Sequence, residues 1–124
     1  MQMKYVHIYT DPSGESHFED VEVAFSALPA DPPAPPILIS SFITADQLAF
    51  VRCPPSGSGD WQTAPRRQFL FLLAGENETE VSDGEVRRFG PGSIILLEDT
   101  RGRGHNGHFV GTEDALLALI ELPD

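Results

Sequence analysis

Arg67-Gln-Phe-Leu-Phe-Leu-Leu-Ala-Gly75 and the stretch that follows it, Glu76-Asn-Glu-Thr-Glu-Val-Ser-Asp-Gly-Glu-Val-Arg-Arg-Phe-Gly-Pro-Gly92, decide the fold. The first is an apolar run of strand length that ends at a glycine, and the second places Asp83-Gly84 between two strand-like runs. Asp-Gly in that position is a strong hairpin signal, because the turn residues must reach positive φ. Gly90-Pro-Gly92 makes a further turn, and Ser93 to Glu98 reads as another strand. Outward from this centre the pattern continues. Tyr5–Tyr9, His17–Phe25, Ile37–Ile43 and Gln47–Arg52 are β-prone on the N-terminal side; His108–Gly111 and Ala115–Leu122 follow on the C-terminal side. Ala115–Leu122 also contains good helix formers, so its strand assignment rests on its neighbours. Thr44-Ala-Asp-Gln47 has the form of a helix capping box, but Cys53-Pro-Pro55 stops any helix within about two turns, and a turn is expected there. Nine or ten short strands with regular turns predict an all-β sandwich or barrel.

Pro29-Ala-Asp-Pro-Pro-Ala-Pro-Pro36 holds five prolines in eight residues, which cannot pair as a central strand and should lie extended on the surface. It divides a single domain, residues 1–124, into an arm of N-terminal strands and Pro-rich segment (1–36) and a barrel (37–124). A chain of 124 residues has room for one core.

The formal charge is −11. Such an acid excess repels phosphate backbones, which argues against nucleic acid as a partner. Residues 66–103, however, carry seven acids against six arginines and are almost neutral, so the excess lies in the flanks. No apolar run approaches the roughly 20 residues of a membrane span, and Met1–Tyr5 lacks the pattern of a secretory signal. One cysteine, Cys53, cannot form an intrachain disulfide; together these features predict a cytoplasmic protein with no membrane partner.

Residues 61–105 resemble the cupins, specifically the small single-domain bacterial cupins. The resemblance lies in Trp61–Gly75, in Asp83–Gly92, and in Leu96-Leu-Glu-Asp-Thr-Arg-Gly-Arg-Gly-His105. It implies a cupin-type double-stranded β-helix, a jelly-roll barrel. The family's first motif runs His-x-His, a few residues, Glu, six residues, Gly. Gln68 stands six residues before Gly75 and so falls on the glutamate position; Gln62 and Ala64 fall on the two histidine positions. In the second motif Gly92 and His105 match, across a longer turn. The family's metals are held by three histidines and one glutamate, and of these only His105 remains a good ligand. Amides are poor donors for a divalent transition metal. The expectation is therefore a barrel without a tightly bound metal; were one present, His105, Gln62, Gln68 and His108 would have to hold it.

Alternation along the 67–74 strand puts Gln68, Leu70 and Leu72 on one face and Arg67, Phe69 and Phe71 on the other. With Gln68 facing the cavity, the expected ligand pocket comprises Gln62, Gln68, His105, Leu70 and Leu72, with Trp61 as a wall and Arg66 as an anion-binding fork. Phe69 and Phe71 then face outward and need a cover: the N-terminal arm, the second sheet or another subunit, the last favouring a homodimer. The remaining arginines, Arg87, Arg88, Arg101 and Arg103, are expected to pair with Glu76, Glu78, Glu80, Glu98 and Asp99. Gly102-x-Gly-x-x-Gly107 matches a dinucleotide fingerprint in letters alone, because no βαβ unit fits before Asp124. Asn77-Glu-Thr79 matches a glycosylation acceptor that only a secreted chain would use. The reading that emerges is a small-molecule-binding cupin domain of unassigned activity and unknown catalytic residues. Its alternatives are a metal-dependent enzyme of oxygenase or isomerase type at His105, and a dimeric structural or regulatory domain.

Overall fold

In the computed structural model, which describes residues 2–29 and 31–124, the 67–74 run forms a strand whose two faces are both apolar, so it must be covered twice. The twelve strands are β1 (Lys4–Thr10), β2 (Ser16–Glu22), β3 (Ser26–Leu28), β4 (Ile37–Ile39), β5 (Gln47–Cys53), β6 (Trp61–Gln62), β7 (Gln68–Ala74), β8 (Glu76–Val81), β9 (Val86–Phe89), β10 (Ile94–Leu97), β11 (His105–Val110) and β12 (Ala115–Glu121). They make a six-stranded sheet ordered β2-β1-β10-β7-β12-β5, a four-stranded sheet ordered β6-β11-β8-β9, and a separate β3–β4 hairpin. Stripped of the arm, strands β5 to β12 alternate between the two sheets except at the β8–β9 hairpin, which lies in one sheet, and this is the order of a jelly roll. Outward from that hairpin every connection crosses to the other sheet, so the two halves wind around each other as a double-stranded β-helix. The fold is a jelly roll.

The β8–β9 turn confirms the Asp-Gly reading. Gly84 sits at φ +98°, its N–H donates to the Val81 carbonyl at 3.0 Å, and Asp83 caps the Glu85 N–H at 2.8 Å. Gly75, at φ +89°, lets β7 turn into β8 against Ala115, where a Cβ would stand 2.8 Å from Ala115 Cα. Ala115–Glu121 is a strand despite its helix formers, because it is the central partner of both β5 and β7. Two strand expectations change. Only Ile37–Ile39 of the 37–43 run is strand, and it pairs with β3. β11 begins at His105, not at His108, because it pairs with both β6 and β8. The arm joins the main sheet, where β1 runs parallel to β10. The Pro-rich run is exposed as expected over its described residues; Ala30 lies outside them.

The core between the sheets is built on Ile8, Phe18, Leu72, Val81, Phe89, Ile95, Leu97 and Leu117. A second cluster, Phe69, Leu96 and Leu122 with Tyr5, Phe71, Ile94 and Ile120, lies on the outer face of the six-stranded sheet. There the arm is the cover: Tyr5 packs edge-on against Phe69 with ring centroids 5.3 Å apart.

Candidate ligand cavity

Two registers assemble the site. Leu70 stands between Ile95 and Leu119 in the six-stranded sheet, and Gln68 beside Leu97, so one wall is aliphatic with a single amide at its end. In the facing sheet Gln62 stands beside His105, and Thr79 beside Gly107. Between the sheets lies a cavity of about 350 Å³ lined by these residues, with Leu72, Val51, Cys53, Asn77, Leu117 and Phe109 further along.

His105 is placed by backbone geometry that few sequences allow. Gly104, at φ +74°, brings the chain so close to β6 that a Cβ would stand 2.2 Å from the Gln62 carbonyl oxygen. The buried Ser16 hydroxyl donates to the Gly104 carbonyl at 2.6 Å, while its Oγ accepts the Ser82 N–H at 2.8 Å, tying the arm and the β8–β9 turn to this point. The imidazole is held in turn by Asp99: Nδ1 and Asp99 Oδ2 are 2.6 Å apart, and Asp99 is fully buried with Oδ1 unpartnered. A carboxylate can only accept, so Nδ1 donates, and the tautomer this selects carries its free lone pair on Nε2. Asp99, expected as an arginine partner, instead follows β10 by two residues, precedes His105 by six and bonds its imidazole.

Gln62, Gln68, Leu70, Leu72 and His105 therefore meet at one cavity. Trp61 and Arg66 do not. Alternation along β6 turns Gln62 inward and Trp61 outward, leaving the indole 47% exposed. Arg66 instead bonds Glu121 Oε2 at 2.8 Å and Asp46 Oδ2 at 3.3 Å on the surface. His108 lies on the opposite face of β11 from His105, in a shallow depression with Glu78 and Glu80, so the two histidines cannot share a ligand. Four of the other arginines are surface partners of acids: Arg67 pairs with Glu98, Arg87 with Glu85 and Asp20, Arg88 with Glu76, Arg103 with Glu15. Arg101, expected to do the same, donates instead to the Asp11 carbonyl at 3.2 Å. Thr79, Asn77, Phe109 and Cys53 line the cavity without having been singled out; the period-two alternation of β8 and β11, once β11 is extended to His105, is the signal that places the first three.

The metal that the sequence resemblance implies would have to be held by the donors of this cavity. They are one imidazole nitrogen, the amides of Gln62, Gln68 and Asn77, and the thiol of Cys53, which burial, and then the charge of Asp114, push up and away from the thiolate. No group of three or more His, Cys, Asp or Glu side chains able to hold a metal occurs among the described residues. This set does not fit a tightly held transition metal, and no chemical step is routed through one.

No family model matches the chain, and no curated protein matches it. Among solved structures, protein NMB1881 from Neisseria meningitidis is similar at 18% identity and a TM-score of 0.48, over 68% of this chain and 89% of that one. The cupin domain of Schizosaccharomyces pombe Cnp3 is similar at 13% identity and a TM-score of 0.49, over 99% of this chain and 84% of the other. The fold is read from the strand order and registers themselves. No helix among the described residues is long and apolar enough to cross a membrane.

Proposed function

We propose that this domain binds a small organic molecule in the jelly-roll cavity, in the cytoplasm and without a resident metal. The observation that carries the reading is His105, held by the buried Asp99 and lining a chamber whose other polar side chains include Gln62, Gln68, Asn77 and Thr79. An imidazole fixed in this way is costly to bury unless its second nitrogen meets a partner, and a ligand is the partner that an open chamber admits. A thermal-shift screen of carbonyl, carboxylate, amide and phenolic compounds tests it. At a hundredfold excess over Kd a true ligand raises Tm by about 5–10 °C for a chain of this size. Leu70→Trp, which fills the cavity from the aliphatic wall, is expected to abolish the shift. A screen with no stabilising compound, or a shift that survives Leu70→Trp, overturns the reading.

A second reading is favoured by the outer face of the six-stranded sheet. The arm covers Phe69, but Leu48 and Phe50 on the edge strand β5 remain 58% and 77% exposed, and Ile37, Leu38 and Phe42 of the hairpin segment are 62%, 60% and 93% exposed. We propose that a second copy of the chain covers this surface.

A further inference from the structure

The two walls of the cavity differ in chemistry. From the six-stranded sheet come Leu70, Leu72, Ile95, Leu97, Leu117 and Leu119, with Gln68 at the end; from the four-stranded sheet come Gln62, Asn77, Thr79 and His105, with Phe109 further along. Sheets that pack face to face stand about 10 Å apart, so the opening is a slot with an aliphatic floor and a polar roof. Gly107 keeps that roof open, since a Cβ there would stand 3.0 Å from Thr79 Oγ1. Among the described residues no lysine, arginine, aspartate or glutamate lines the slot; Asp99 stands behind His105. A phosphate, a sulfonate or an ammonium group would enter with no counter-charge to offset its lost hydration. Asp99 selects the tautomer of the imidazole with its proton on Nδ1, and in that tautomer the nitrogen offered to the slot is an acceptor. At the volume of a water molecule in the liquid, 350 Å³ holds about twelve non-hydrogen atoms.

We infer that the ligand is a flat, uncharged weak acid of one or two fused rings, a phenol, an enol or a heteroaromatic N–H compound, that lies on the leucine floor and donates its O–H or N–H to His105 Nε2. This rests on reading the cavity as a ligand site and adds the ligand's class to it. Binding is a hydrogen bond, with no bond made or broken in the ligand; the amides of Gln62 and Gln68, which both donate and accept, serve whatever other polar groups its edge carries.

The test is calorimetric titration of the full chain at pH 7 with 2-naphthol and with 2-methoxynaphthalene, which share a ring system and differ in the O–H. The wild-type protein should bind the naphthol about tenfold or more tightly than the ether, the size expected for one buried hydrogen bond. His105→Leu should retain the ether and lose the preference. Asp99→Asn, folded by circular dichroism, should shrink the preference, because a carboxamide can present an N–H to Nδ1 and move the ring proton to Nε2. Equal binding of the two probes by the wild-type protein overturns the donor assignment and leaves the ligand site standing. Binding of neither probe, when a compound from the wider screen does bind and requires His105, overturns the ligand class alone. If no compound binds in the cavity, both readings fall.

Discussion

His17 lies between two carboxylates: Nε2 is 2.7 Å from Asp11 Oδ2 and Nδ1 is 2.8 Å from Asp83 Oδ2, joining the β1–β2 turn to the β8–β9 turn. The hydrogen bond to Asp11, then that to Asp83, raises the imidazole above its ordinary value of 6.5. Asp11 is held well below the usual carboxylate range, by His17 first and the Ser13 hydroxyl second; Asp83 is lowered chiefly by the Glu85 N–H, with His17 adding to it. A raised imidazole stabilises the fold fully below 6.5, and that contribution fades as pH rises through the higher folded-state value. The lowered carboxylates stabilise it above 3.8, and theirs is lost as pH falls through their folded-state values. The clamp is thus complete between these limits. His17→Gln should lower the urea midpoint most near pH 5–6 and least near pH 9; an equal loss at both would show that the charge on His17 contributes nothing. Neither this clamp nor the Asp99–His105 pair was legible from local sequence. His17 and Asp83 are 66 positions apart, and only the closing of the turns brings them together. Asp99 is near His105 in sequence, but its direction depends on the glycine path between them. Gln62, Gln68 and His105 were reached through motif positions, and Leu70 and Leu72 through alternation with Gln68, a local property of strand geometry.

At the scale of elements, the strands that alternate or end at Asp-Gly and Gly-Pro-Gly were readable, since turn chemistry and period two act over a few residues. Those that were not, β3, β6 and the first half of β11, are short or glycine-rich and exist because a partner strand pairs with them. That dependence makes Gly104 the joint of the site. Its φ of +74° and its approach to the β6 backbone are both closed to other residues. Gly104→Ala should destabilise the protein by about 1–3 kcal/mol from backbone strain alone, with more from the collision with Gln62. Binding of any cavity ligand should weaken with it, because β6 and His105 separate together. Gly84→Ala offers the matched control: the same sign of φ, +98°, with nothing within 4 Å of the added carbon. It should cost stability through strain yet leave cavity affinity unchanged. Similar loss of affinity in both variants would show that Gly104 acts on global stability and not on the site.

At the scale of the molecule, one sheet is apolar on both faces, and this sets what the fold still lacks. Its inner face closes the cavity. Across its outer face the registers align Phe50, Ala118, Phe71 and Ile94 in one row and Leu48, Ile120, Phe69 and Leu96 in the next. The arm buries the β10 and β7 end of these rows, with Met3, Tyr5, Val23, Phe25 and Ile43 around the remaining groove, and leaves the β5 end open. Single exposed leucines need no explanation, but two rows of apolar side chains continuing into an exposed apolar hairpin form the kind of patch that monomers rarely leave in water. A two-fold pairing gives the patch a partner of its own chemistry, each hairpin lying on the other copy's β5 strip. Phe50→Glu places a charge at the centre of that strip while leaving the inner face, carried by Val51 and Cys53, unchanged. Sedimentation equilibrium should give twice the chain mass for the wild-type protein and the single mass for Phe50→Glu, with cavity binding retained in both. A wild-type monomer at concentrations of tens of micromolar, or a dimer that persists in Phe50→Glu, would remove this surface as the interface.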